Sequence, residues 1–326
     1  MRAMSKEVLV QIEGLKQYFP IRSGGKRTFV KAVDDVDLTI YRGETLGLVG
    51  ESGSGKTTLS RAILGLQKPT AGKVILLGKD VWDKKNKKAL QGHVGAVFQD
   101  PASSLNPRTT VYRSLERPLE IAGHNKKEAR ELIYQVADRI NIGRELLERF
   151  PSELSGGQQQ RISVARVISQ QPELVVLDEP TSALDVSVQA QTLNELLKLQ
   201  EDYGMAYLFI THNLSVVRYM SDRICVMYGG KVMEIGTVSD VYDHYLHPYT
   251  FGLFTSIPPL HPRDRFRKKY LLTGDMPSLI GISEGCRFAS RCRYCEEKCH
   301  KETPALKHVG GEHYCACHFA GELDFD

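Results

Sequence analysis

Residues 45–66 read TLGLVGESGSGKTTLSRAILGL. TLGLVG is a continuous apolar run, as expected of a parallel strand covered on both faces, and LSRAILGL is an apolar helical segment. Between them, GESGSGKT at 50–57 follows the pattern of Gly, four residues, Gly, Lys and Ser/Thr. Main-chain N–H groups of such a loop form an anion nest, and the helix that follows adds the positive end of its dipole. Gly50, Gly53 and Gly55 allow the backbone to wrap phosphates without Cβ clashes. Lys56 is expected to neutralise the β and γ groups of a triphosphate and Thr57 to ligate Mg²⁺. Glu51, Ser52, Ser54 and Thr58 complete the expected phosphate contacts.

Two further apolar runs, ELVVLD at 173–178 and AYLFIT at 206–211, alternate with helical patterns. This alternation predicts an α/β fold whose ligand lies beyond the strand ends at Gly50, Asp178 and Thr211. The helical spacing of Ala129, Leu132, Ile133, Val136 and Ile140, between Pro118 and Pro151, predicts a helical insertion over about 100–170. Beyond residue 245 the pattern breaks, with prolines at 248, 258, 259, 262 and 277. The basic run RDRFRKKY at 263–270 reads as a solvated linker into a small Cys-rich module, with contact to anionic lipid as the other reading.

LVVLDEP at 174–180 ends a buried strand in two carboxylates. Asp178 is the expected Mg²⁺ partner, and Glu179 the base that orients and deprotonates an attacking water. LSGGQ at 154–158 precedes a helical pattern in QQRISVARVI. Ser155 suits an N-cap, and a helix tip with a serine hydroxyl and glycine amides is an anion site. Gripping the γ-phosphate of a nucleotide held by a second subunit accounts for glycines that a helix interior disfavours by about 0.5–1 kcal/mol each.

The 326 residues are 41% hydrophobic, and no apolar run reaches the roughly 20 residues of a membrane-spanning helix, so a membrane role is expected to use partner chains. MRAMSKEVLVQIEG lacks a long apolar segment, which predicts a cytosolic chain. The net charge of +4 gives no indication of nucleic acid. One cysteine stands at 225 and six lie between 286 and 317, a clustering that points first to metal or cluster ligation in a cytosolic protein.

With these motifs in this order the chain resembles the ATP-binding cassette (ABC) ATPases. The Walker A segment is GESGSGKT, the signature LSGGQ and the Walker B segment LVVLDEP. The D-loop is SALD with Asp185, the Q-loop is AVFQD with Gln99, and the switch histidine is His212 in FITH. The resemblance implies a P-loop NTPase with a RecA-like core, an antiparallel β subdomain and a helical subdomain over residues 5–250, followed by an extension over 251–326. It implies two ATPs, each held between the phosphate loop of one subunit and Ser155, Gly156, Gly157 and Gln158 of the other. It further implies that Gln99 senses Mg²⁺ and signals to a membrane partner, and that His212 contacts the γ-phosphate. Tyr18 is similar to the aromatic that stacks on adenine, with Phe19 as runner-up.

The tail HPYTFGLFTSIP at 247–258, with GCRFASRCRYCEEKC and ACH beyond it, is similar to that of dipeptide and oligopeptide importer ATPases. Cys286, Cys292, Cys299 and Cys317 match the cysteine pattern that holds a [4Fe–4S] cluster in some members, with zinc as runner-up. Cys295 and Cys315 are additional. The resemblance implies a second ATPase subunit, with a heterodimer favoured over a homodimer. It also implies two permease subunits, a solute-binding protein acting indirectly, and a peripheral place on the cytoplasmic face of the membrane. Oligosaccharides or nickel are alternative cargoes. A soluble ABC ATPase acting on nucleic acid or the ribosome is disfavoured, since the chain has a single Walker A and only 98 residues between Lys56 and Ser155. A fused exporter is excluded by the missing spans.

Overall fold

The structure, a computed structural model, describes residues 7–23, 25–100, 104–182, 184–256, 272–282 and 284–325. The first half of the chain forms β1 (Val8–Ser23), β2 (Lys26–Tyr41), β3 (Thr45–Val49), α1 (Lys56–Ile63), β4 (Ala71–Leu76), β5 (Lys79–Asp80), α2 (Lys87–Leu90), β6 (Val94–Val97), α3 (Val111–Ala122), α4 (Lys126–Arg139) and α5 (Gly156–Ile168). Then follow β7 (Leu174–Asp178), α6 (Val186–Tyr203), β8 (Ala206–Ile210), α7 (Leu214–Met220), β9 (Arg223–Tyr228), β10 (Lys231–Thr237), α8 (Val238–Asp243) and α9 (Pro248–Thr255). The tail adds α10 (Glu297–Lys301), β11 (Lys307–Gly310) and β12 (His313–Cys315). Two compact units interleave along the chain: residues 1–9, 40–44 and 76–209 make one, and 10–39, 45–75 and 210–326 the other.

The unit that carries the phosphate loop contains two sheets. In the order β2-β1-β4, β1 and β2 are two residues apart in sequence and adjacent in space, so they run antiparallel. The second sheet runs β11-β12-β10-β9-β3. β3 and β9 are parallel, with Leu46 opposite Arg223 and Val49 opposite Val226, and the β9–β10 and β10–β12 pairs are antiparallel. All five residues of β3 are buried, which is why its sequence is apolar beyond Thr45. The core of this unit gathers Val49, Tyr228, Tyr249, Phe251 and Phe288. Phe288 comes from the cysteine-rich segment, and its ring meets Tyr228 edge-on with centroids 5.3 Å apart. That segment thus shares a core and a sheet with the unit. The basic run at 263–270 and the prolines at 258, 259 and 262 lie outside the described residues.

In the other unit β7 lies between β8 and β6, and β6 and β7 are parallel from Val94 opposite Leu174 to Val97 opposite Leu177. Helices α3, α4 and α5 pack around Leu115, Leu119, Ala129, Ile133, Val136, Ile162 and Ala165, all buried. Asn125 caps α4 by accepting from Lys127 and Glu128 N–H, and the Glu128 carboxylate accepts from Asn125 N–H in return. Pro118, read from sequence as a boundary, lies inside α3. Its ring removes one helical donor. The Thr110 cap and Gly123, with φ of 97°, set the ends of the helix instead. Among the described residues no helix is long and apolar enough to cross a membrane.

Candidate nucleotide site

The loop from 50 to 57 turns sharply out of β3 into α1, and its glycines are required by the surrounding backbone. Gly50 and Gly55 have φ of 150° and 106°. A Cβ on Gly50 would collide with the Met227 carbonyl oxygen, and one on Gly55 with that of Ala32. Lys56 folds back over the loop, its Nζ donating to Gly50 O at 2.7 Å, Glu51 O at 2.9 Å and Ser54 Oγ at 3.1 Å. The ammonium is therefore held against the loop's own oxygens. Ser54 is buried, whereas Ser52, Gly53 and Thr57 are exposed at the mouth and Thr58 is half-buried on the first turn of α1.

Glu51, expected among the phosphate contacts, is engaged elsewhere. Its carboxylate accepts from Arg291 Nη1 at 2.8 Å and Nη2 at 3.2 Å, and its N–H donates to the Tyr249 hydroxyl at 2.9 Å. Neither Arg291 nor Tyr249 was singled out from the sequence. Tyr249 stands in the quoted HPY stretch, while an arginine beside a cysteine carries no periodic signal. Tyr18 donates its hydroxyl to Asp34, and Asp34 also accepts from the buried Arg287. Burial and the Asp34 hydrogen bond both raise the Tyr18 pKa. Lys31 Nζ lies 5.7 Å from the Tyr18 ring centroid, so a cation shares the aromatic expected to receive adenine. Asn213 accepts from Ser215 and Val216 N–H to start α7, leaving the preceding His212 exposed.

In the other unit, Gln99 and Glu179 come together: the Gln99 amide donates to Glu179 Oε2 at 3.0 Å. Glu179 follows β7 directly and has φ of 50°, a strained value for a residue with a side chain and the kind of strain that collects at functional sites. Asp178 is the half-buried last residue of β7. Asp185 caps α6, accepting from Ser187 N–H at 3.1 Å and Val188 N–H at 3.0 Å, and these bonds, with the Ser187 hydroxyl first among them, lower its pKa. Ser155 forms a capping box at the tip of α5. Its Oγ accepts from Gln158 N–H at 3.3 Å while Gln158 Oε1 accepts from Ser155 N–H at 2.9 Å. Ser155 and Gly156 are exposed, and a Cβ on Gly156 would meet nothing within 4 Å.

Cys286, Cys292, Cys299 and Cys317 border one cavity together with His247, whereas Cys295 and Cys315 are absent from its lining. Burial pushes the Cys286 thiol up to about 12 and Cys292 to about 11, so both are protonated at neutral pH. Buried His247 accepts from Tyr249 N–H through Nδ1, and burial lowers its pKa to about 3. Cys295 Sγ lies 3.2 Å from His300 Nε2. Among the described residues no three His, Cys, Asp or Glu side chains converge as ligands of one metal ion, so neither the [4Fe–4S] cluster nor zinc finds a preformed ligand set.

A phosphate loop, a strained acid at a strand end and a capped glycine helix tip define an ATP-hydrolysing cassette. The ABC transporter family matches residues 33–182, and the family described as oligopeptide/dipeptide transporter, C-terminal region, matches residues 233–299. The chain is 41% identical to the oligopeptide transport ATP-binding protein AppF of Bacillus subtilis, covering 98% of this chain and 99% of AppF. It is 42% identical to the oligopeptide transport ATP-binding protein OppF of Salmonella typhimurium, over 93% of each. It is 40% identical to the dipeptide transport ATP-binding protein DppF of Escherichia coli, over 99% of this chain and 97% of DppF. Among solved structures, cbiO1 of Clostridium perfringens, part of an ABC transporter complex, superimposes with a TM-score of 0.64 at 26% identity, over 73% of this chain and 92% of cbiO1. The ATP-binding cassette MJ0796, solved as a dimer with ADP and phosphate, gives 0.62 at 28% identity, over 71% of this chain and 99% of MJ0796. The chain belongs to the ABC transporter ATPases, on their oligopeptide/dipeptide branch.

Proposed function

We propose that this chain is the ATP-hydrolysing subunit of a dipeptide or oligopeptide importer, bound peripherally at the cytoplasmic face to two permease subunits that receive solute from a separate binding protein. The observation that carries the peptide assignment is the match over 233–299, a region outside the catalytic motifs. Lys56 and the loop amides hold the β and γ phosphates, with Tyr18 beside the adenine. Thr57, Asp178 and Gln99 serve Mg²⁺, and His212 contacts the γ-phosphate. Glu179 takes the proton of the attacking water, and its contact with Gln99 supports a link between the base and the metal sensor. Ser155, Gly156, Gly157 and Gln158 serve the nucleotide of a second ATPase chain, with Asp185 at the same interface. An exposed Gly156 with open space around its Cβ position supports that role, because nothing among the described residues requires a glycine there. A different chain is the favoured partner. ATP closes the pair by adding contacts from the helix tip, and hydrolysis removes the phosphate that held it shut. Glu179→Gln is expected to keep ATP binding, lower turnover by about 100-fold or more, and accumulate a closed dimer by gel filtration in ATP. Turnover at the parental rate would reject Glu179 as the base.

Cys286, Cys292, Cys299 and Cys317 are proposed as the ligands of a [4Fe–4S] cluster, supported by their common cavity. Such a group would tie four points of the tail together, and its binding must release the protons that burial holds on Cys286, Cys292 and Cys317. Anaerobically purified protein should contain iron and absorb visible light. Stoichiometric zinc without iron would reject the cluster.

A further inference from the structure

Glu51 is the lone acidic residue of GESGSGKT, an anion built into a loop that has to attract a polyanion. Left unpaired, it would oppose phosphate binding across a few ångströms of poorly screened space. The structure instead holds it on three sides. Arg291 grips the carboxylate through both terminal nitrogens, at 2.8 and 3.2 Å, in the fork geometry that suits guanidinium to carboxylate. The Tyr249 hydroxyl receives the Glu51 N–H, and the Glu51 carbonyl receives Lys56 Nζ at 2.9 Å. Arg291 is itself set. Its Nε donates to Thr273 O at 3.0 Å, Nη1 reaches the Tyr228 hydroxyl at 3.2 Å, and its side chain is 7% exposed. It ends the 3₁₀ turn Ala289–Arg291, next to Cys292, so the cysteine-rich tail supplies the cation.

We propose that Arg291 is a positioning residue of the nucleotide site, by which the C-terminal tail holds the Glu51 carboxylate and cancels its charge beside the phosphate cradle. The inference rests on reading residues 50–57 as the nucleotide cradle. It acts through Glu51 on binding, so it predicts an effect on KM larger than that on kcat. Because the effect is one of charge, removing the acid should undo the loss of the base.

The test is ATP affinity by calorimetry and steady-state ATPase kinetics on the full chain, with thermal unfolding measured for every variant. Arg291→Gln is expected to weaken ATP binding tenfold or more with kcat reduced by less, Arg291→Lys to recover part of the loss, and Glu51→Gln in the Arg291→Gln background to restore most of it. Parental affinity in Arg291→Gln, or a double variant no better than the single one, overturns the proposal. Should Arg291→Gln fail to fold, Glu51→Gln alone decides: the freed guanidinium then tightens ATP binding, and weaker binding counts against the proposal. Lys56→Ala separates the two levels. If it binds ATP as the parent does, the cradle reading fails; if it abolishes binding while Arg291→Gln changes nothing, only the role of Arg291 fails.

Discussion

At the scale of single residues, the glycines of the phosphate loop show how packing and function share one constraint. From sequence they serve the phosphates; in the structure Gly55 is also confined by the Ala32 carbonyl oxygen, at a φ of 106°. Gly55→Ala should therefore cost about 3 kcal/mol or more even without nucleotide, combining backbone strain with a clash. Gly53, at φ of 80° with Met276 Sδ 3.6 Å from its Cβ position, should tolerate alanine at about 1 kcal/mol. Thermal unfolding of the two variants checks the difference, and equal losses would mean that Ala32 does not confine the loop. Asp185 and Ser155 carry local capping bonds that explain their residue types without any ligand, so neither is diagnostic alone.

Among elements, the tip of α5 separates the two roles of its first residue. Ser155→Ala should lose about 1 kcal/mol with the cap. Ser155→Asp keeps an equally good cap, so its stability should stay within about 0.5 kcal/mol of the parent. Its carboxylate would repel a γ-phosphate, however, and ATP turnover should fall at least tenfold. Unchanged turnover in Ser155→Asp would leave α5 a purely structural helix. The strands β3 and β7 were readable because burial on both faces leaves them almost entirely apolar, Thr45 and Asp178 apart. Pro118, a bracket of the helical insertion in sequence, lies inside α3, since a single proline breaks one helical bond but not the packing of Leu115 and Leu119.

For the molecule as a whole, the cysteine-rich tail is part of a core. Phe288 is fully buried against Tyr228, and Tyr249 lies 5.4 Å from it between ring centroids. Phe288→Ala should destabilise the chain by about 3–5 kcal/mol, read as a lower midpoint in chemical denaturation. A loss under about 1 kcal/mol would make the tail an appendage. The contact cannot be seen in sequence because 59 residues, and a stretch rich in proline and basic residues, separate Tyr228 from Phe288.

The nucleotide chemistry was legible in the amino-acid order because each motif is local: a glycine loop, a strand ending in acids and a capped helix tip each bring their groups together within a few residues of chain. Tertiary structure alone decided what surrounds them. Arg291 reaches Glu51 across 240 positions and Gln99 reaches Glu179 across 80, contacts with no periodicity to announce them, since they depend on how buried aromatic rings and sheet register fold distant segments onto one another.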